Sequence, residues 1–197
     1  WRARFRDFDE EPIAAASIGQ VHRATALDGR PLALKIQFPG VAKSIDSDVD
    51  NLGTLLRLAS LLPDGIDMAP LLAEVKRQLH RETDYVAEGE HLRRYGELVR
   101  DMPSVIVPRA HTDFTTGRVL AMDLVDADPI DVLWKEDHPA ELRNRMGRLV
   151  QGIVFRELFE FGLMQSDPNF ANYLVTRTDR RLVLLDFGAT IDVSASL

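Results

Sequence analysis

Between Pro12 and Gln37, short runs of alternating apolar and polar residues are separated by turn formers, a pattern that predicts a strand, loop, strand, turn, strand meander. Asp28-Gly29 is the hairpin signal, and Leu32-Ala33-Leu34-Lys35-Ile36-Gln37 is the third strand. The segment before the second strand, Ala14-Ala15-Ala16-Ser17-Ile18-Gly19-Gln20, reads as a loop. Pro39-Gly40 breaks the third strand. Ser44 or Asp46 is then the expected cap of a helix with Val49, Leu52, Leu55, Leu56 and Ala59 on its apolar side, closed by Pro63-Asp64-Gly65. Leu72, Leu79 and Val86 recur at heptad spacing and predict one long helix from about Ala69 to Gly96.

Val105 to Val107 and Val119 to Val125 read as the remaining strands of the sheet. Asp131 to Trp134 is a short helix, and Ala140 to Phe161 a longer one packed through Leu142, Met146, Leu149, Ile153 and Leu158. Tyr173-Leu174-Val175 and Leu182-Val183-Leu184-Leu185 form two strands joined by the polar turn Thr176 to Arg181. Trp1 to Glu11 mixes charges with Trp1, Phe5 and Phe8 and reads as the tail of a preceding helix or a linker. The class is therefore α+β: residues 1–11 as a lead-in, 12–125 as a small antiparallel sheet with helices, and 126–197 as a connector and a helical lobe bearing an acidic hairpin. The cleft between the lobes is the natural ligand site.

A chain that is 45% hydrophobic and 28% charged can bury a core. Its net charge of −7 and the lack of a dense basic run exclude a nucleic-acid face. With no cysteine, disulfides and thiolate metal sites are excluded, and a reducing compartment fits. The five histidines have no metal-ligand spacing. No apolar run approaches the ~20 residues of a membrane span and no signal peptide is visible, so the expected location is cytoplasmic or on a membrane surface. Because it begins at Trp1 and stops eleven residues after Asp186, the chain reads as a piece of a longer protein.

The chemistry lies between Gln165 and Gly188. Asp167 is followed five positions on by Asn172, and then by Asp186-Phe187-Gly188 after the apolar hairpin. Phosphoryl transfer needs an acid beside the attacking hydroxyl, with an amide oxygen and a second carboxylate on the metal ions. The protein-kinase pattern D-x-x-x-x-N followed by D-F-G supplies these in this order. A chance D-F-G or an Asp-Pro-Asn turn would explain either half alone. Neither explains both at this spacing with a lysine-bearing strand upstream. The expected architecture is thus a bilobal protein-kinase-like fold with the first, incomplete part of a helical C-lobe.

Lys35, among apolar neighbours on its strand, can aim its charge at nucleotide phosphates if a carboxylate holds it. A strand-end lysine reaching solvent is the plainer alternative. The following helix offers Glu74, Glu82, Asp84, Glu88 and Glu90. On one continuous helix Glu82 and Glu88 lie about 240° apart and cannot share a target, and periodicity does not choose between them. Met122-Asp123-Leu124-Val125 ends a strand at the connector, where backbone groups of Asp123 and Val125 could pair with an adenine.

Assembled, these residues resemble the UbiB/ADCK family of atypical kinases linked to coenzyme Q biosynthesis, over Pro12 to Asp192. Ala14-Ala15-Ala16-Ser17 matches the Ala-rich loop that replaces the kinase Gly-rich loop in that family. Lys35-Ile36-Gln37-Phe38-Pro39-Gly40-Val41 is similar to its K-I-Q-Y-P-G-V segment, and Glu82-Thr83-Asp84-Tyr85 to its E-x-D motif. Gln165-Ser166-Asp167-Pro168-Asn169 stands where ordinary kinases have H-R-D. The resemblance implies ATP or ADP and Mg2+ as cofactors. Ala14, Ala15, Ala16, Ser17 and Lys35 would lie at the phosphates, with Glu88 as the partner of Lys35. Asp167 would be the catalytic-loop acid, Asn172 and Asp186 the metal ligands, and Glu82 and Asp84 would face an N-terminal extension bearing K-x-G-Q. That K-x-G-Q motif is absent from this sequence.

Three consecutive alanines should change how phosphates are cradled, because alanine reaches positive φ only at a steric cost. The resemblance implies an ATPase or small-molecule kinase supporting ubiquinone or prenyl-lipid biosynthesis. Its partners would be quinone-biosynthesis proteins, phenolic or prenyl-lipid ligands and a membrane surface met through the full-length protein. A Ser/Thr protein kinase and a non-catalytic nucleotide-binding scaffold are the alternatives.

Overall fold

The computed structural model describes residues 1–58, 68–135, 138–167 and 169–193. Ala59, the Pro63-Asp64-Gly65 turn and Pro168 fall outside them. The first sheet is antiparallel throughout, with strands β1 (Phe5–Phe8), β3 (Gly19–Ala26), β4 (Pro31–Gln37) and β6 (Val119–Asp123) in the order β1-β3-β4-β6, and β2 (Ala14–Ala16) also paired to β3. The β3–β4 turn follows its signal: Gly29 has φ 92°, and the Ala26 N–H donates to the Arg30 carbonyl at 2.9 Å. β4 is buried along most of its length, which is why it reads as an apolar run and not as an alternation.

Three expectations for this half need correction. Residues 5–8 form an edge strand paired to residues 24–26, not a helix tail or linker. Phe5 and Phe8 pack on a small cluster of Ala24, Ala26, Leu32, Leu34 and Ala121, which gives the segment a reason to pair. The alanine segment is not a loop, since Ala14 to Ala16 pair with Val21 to Gly19. α1 (Val41–Leu58) starts directly after Gly40, whose φ is 86° and whose carbonyl accepts the Ser44 N–H, so Ser44 and Asp46 lie inside the helix. Ile45 and Val49 are buried apolar positions, while Leu52 and Leu55 are exposed.

The long helix is also two. α2 (Ala69–Glu82) ends at Thr83, and α3 (Tyr85–Leu98) begins anew with Asp84 as its cap, the carboxylate accepting the Ala87 N–H at 3.0 Å. The break moves burial from Val86, 57% exposed, to Tyr85, fully buried.

β5 (Val105–Ile106) belongs to the second sheet, not the first. It lies parallel to β10 (Leu182–Leu184), which pairs antiparallel with β9 (Tyr173–Thr176), and β9 with β7 (Ala127–Pro129). α4 (Val132–Lys135) and α5 (Ala140–Arg156) follow β7. α5 passes into a π-helical turn at Glu157–Phe161. β8 (Leu163–Gln165) and β11 (Thr190–Asp192) form a third, two-stranded sheet. One main core links both lobes, with Tyr85, Leu92 and Tyr95 of α3 set between Leu120 and Met122 of β6 and Tyr173, Leu182, Leu184 and Phe187 of the lower hairpin. Among the described residues no helix is long and apolar enough to cross a membrane.

Candidate active site

Lys35 comes from β4 and is 6% exposed; Glu88 comes from the first turn of α3 and is 2% exposed. The Lys35 Nζ donates to both Glu88 oxygens, at 2.8 and 3.0 Å, and to Asp186 Oδ1 at 3.3 Å. It also lies 5.2 Å from the Tyr85 ring centroid. Burial acts to lower the lysine pKa, but the Glu88 and Asp186 carboxylates outweigh it and hold the ammonium above its ordinary value. Burial pushes the Glu88 carboxyl up, against the pull of Lys35. The two tendencies disagree on how firmly the pair is ionised. The short two-pronged contact and the second carboxylate favour the charged lysine.

Glu82 does not touch Lys35. The break after it turns its side chain to the alanine hairpin, where the Ser17 hydroxyl donates to Glu82 Oε2 at 3.2 Å. Gln37 anchors the same junction, its amide donating to the Thr83 carbonyl at 2.6 Å. Asp84 is occupied as the cap of α3. None of the three alanines has positive φ. Paired as a strand, they avoid the steric cost that a Gly-like loop conformation would impose. Gly19 is what the hairpin needs instead, since a Cβ there would meet the Ile36 carbonyl oxygen at 2.2 Å.

The lower wall is built by backbone. A 3-10 turn at Phe170–Asn172, capped by the Asn169 side chain on the Ala171 N–H, delivers Asn172. The Leu185 N–H then donates to the Asn172 carbonyl at 2.9 Å, which brings Asn172 beside the residue preceding Asp186. Asp167, exposed, follows Ser166, whose N–H and hydroxyl both donate to the Ala189 carbonyl. Phe187 is buried on Tyr95, with ring centroids 4.8 Å apart, and its carbonyl accepts from His91 Nδ1. Direct contacts thus unite Lys35, Glu88 and Asp186, while main-chain pairing sets Asn172 and Asp167 on the same wall.

At the connector, the Asp123 N–H donates to the Arg109 carbonyl at 3.0 Å, so it is not a group a base could use. The Asp123 carboxylate accepts the Arg109 N–H and, at 2.7 Å, His111 Nε2–H. Val125 lies half-buried in the connector.

Asp186 and Asn172 offer hard oxygen donors, the kind magnesium prefers. Among the described residues no group of three or more His, Cys, Asp or Glu converges. The donor set therefore fits an ion that takes one or two protein ligands and completes its shell with phosphate and water, as magnesium does. Three contributors were not legible as site residues: Gly19, Gln165, whose amide donates to the Leu185 and Asp186 carbonyls, and Glu157 behind it. The Gln165-Ser166-Asp167 departure from H-R-D was the available signal for Gln165.

Residues 1–197 match the ABC1 atypical kinase-like domain. The chain is 38% identical over 194 residues to the mitochondrial atypical kinase coq-8 of Caenorhabditis elegans, covering 96% of this chain and 25% of that protein. It is 37% identical over 190 residues to the mitochondrial atypical kinase COQ8 of Saccharomyces cerevisiae, covering 96% and 38%. A probable serine/threonine-protein kinase, abkA of Dictyostelium discoideum, is 38% identical over 201 residues, covering 96% and 35%. The complex structure of Rv3197 with erythromycin from Mycobacterium tuberculosis superposes with a TM-score of 0.82 at 29% identity, covering 98% of this chain and 48% of that one. The chain thus spans between a quarter and two-fifths of these curated relatives.

Proposed function

The chain belongs to the ABC1 atypical kinase-like family, and on that premise we propose that it carries the nucleotide site of a Mg2+-dependent atypical kinase or ATPase acting in ubiquinone or other prenyl-lipid biosynthesis. The observation that carries this reading is the buried Lys35–Glu88 pair with Asp186 at 3.3 Å from the same ammonium. In it Lys35 contacts the nucleotide phosphates and Glu88 holds the lysine in place. Ala14 to Ser17 cover the phosphates as a paired hairpin, and the Asp123 carbonyl and Val125 N–H receive the adenine. Asp167 orients the attacking hydroxyl or water and takes its proton. Asn172 and Asp186 hold magnesium, which when bound offsets charge on the transferring group. Glu82 and Asp84 face an N-terminal extension, and quinone-biosynthesis proteins or phenolic and prenyl-lipid ligands are met at a membrane surface by the full-length protein.

The test is Mg2+-dependent ATP hydrolysis by the full-length protein, with and without phenolic quinone analogues and anionic liposomes, beside Asp186→Asn. Hydrolysis stimulated by phenol or lipid and reduced at least a hundredfold in the variant is expected, since a lost charge-stabilising group costs about 10²–10³ in rate. Nucleotide binding with no turnover in any condition would leave a scaffold. The Dictyostelium relative, a probable serine/threonine-protein kinase, favours a second reading, transfer to a protein hydroxyl; phosphate appearing on a peptide added in trans would select it.

A further inference from the structure

Asp186 holds a backbone conformation that side chains ordinarily avoid, with φ 58°. A left-handed non-glycine residue is sterically strained and persists where its surroundings over-determine it. Its surroundings do so here. The Gln165 Nε2 donates to the Leu185 carbonyl at 2.9 Å and also to the Asp186 carbonyl, so one amide fixes the peptide planes on both sides of Asp186. Gln165 also leads directly into Ser166 and Asp167.

Gln165 is itself held from behind. Its N–H donates to Glu157 Oε1 at 3.2 Å, and the Tyr95 hydroxyl donates to the same oxygen at 2.8 Å. Glu157 is 3% exposed, and among the described residues no basic side chain acts on it. A buried carboxyl without a cation is expensive unless its hydrogen bonds serve something. Glu157 also opens the π-helical turn at the end of α5. Such turns occur often at functional sites because they re-aim side chains out of the α-helical register. Tyr95 lies on α3, the helix bearing Glu88, and its ring supports Phe187. One carboxylate oxygen thus ties together the glutamate-bearing helix, the strand entering the catalytic loop and, through Gln165, the turn carrying Asp186.

We propose that Glu157 is a positioning residue for the metal site: by accepting from Gln165 and Tyr95 on one oxygen, it fixes the Leu185–Asp186 backbone and so aims the Asp186 carboxylate. This rests on the reading of Asp186 as a magnesium ligand. The contribution of Glu157 is an acceptor, not a charge. Glu157→Gln keeps a carbonyl oxygen in place, whereas Glu157→Leu keeps the bulk and removes both bonds.

The experiment uses the full-length protein, these two variants and Tyr95→Phe, which removes only the hydroxyl should Glu157→Leu fail to fold. ADP affinity is measured with Mg2+ and with EDTA, and amide exchange across residues 183–190 is followed without nucleotide. In Glu157→Leu the Mg2+-dependent gain in ADP affinity should fall by up to roughly tenfold, the scale of one buried hydrogen bond. Metal-free ADP binding should be unchanged, and the Leu185 and Gly188 amides should exchange faster. Tyr95→Phe should move the same two readouts in the same direction, and Glu157→Gln should behave as wild type. Equal weakening with and without Mg2+ overturns the proposal, as does unaltered exchange at 185–188. If wild type gains no ADP affinity from Mg2+, the nucleotide reading fails, and the exchange data still decide whether Glu157 holds the turn.

Discussion

At Lys35, burial and charge oppose each other, and charge prevails because two carboxylates face one ammonium. This makes the residue a structural liability as well as the proposed contact for phosphate. Lys35→Met should leave Glu88 buried without a partner and cost about 3–5 kcal/mol, whereas Lys35→Met with Glu88→Leu should recover much of that loss. Denaturant unfolding of the two variants checks it, and a double variant no more stable than the single one would count against it. The spacing of Asp167, Asn172 and Asp186 singled those residues out as candidates, because the pattern is local and strict. Glu88 over Glu82 followed from the family resemblance and not from periodicity, because the wheel assumed a helix that does not continue. Glu157 escaped because its bonds depend on π winding and on a backbone N–H, which have no residue signature, and Gln165 because its departure from H-R-D marks the position but not the carbonyls it reaches.

The helix break shows how a strong pattern can mislead at the level of the element. Leu72, Leu79 and Val86 fall at heptad spacing across a junction where the chain turns, and the capping aspartate was the competing signal. Asp84 therefore has a local duty that its place in an acidic motif does not reveal. Asp84→Ala should destabilise by about 1 kcal/mol through loss of the cap, read as a lower denaturation midpoint with unchanged slope. A greater nucleotide effect than stability effect would assign Asp84 a role beyond the cap. The lower hairpin was legible because each strand and its turn carried separate signals. β1 was not, and β5 was legible as a strand but not in its sheet, since a strand of two to four residues is placed by its partner and β5's partner lies far along the chain.

At the scale of the whole molecule, the site is assembled from pieces of both lobes around one shared core, so ligand and fold are linked. Nucleotide with Mg2+ at a hundred times its dissociation constant should stabilise the protein by about 2.7 kcal/mol. That is on the order of 5–10 °C in melting temperature for a domain of this size. Adding EDTA should remove most of the shift, and an equal shift with and without metal would argue against Asn172 and Asp186 as ligands. The parallel pairing of β5 with β10 has a further consequence, in the time domain of synthesis. Sheet strands β1 to β4 can find each other as soon as the first forty or so residues emerge, but Val105 and Ile106 must wait for Leu182 and Val183. At roughly 5–20 residues per second, that wait is on the order of 4 to 16 seconds. Throughout it Val105, buried in the finished protein, has no sheet to join. The nascent chain therefore holds an early sheet above an open apolar seam, and a chaperone acting on it would meet that seam rather than the Lys35–Glu88 pair.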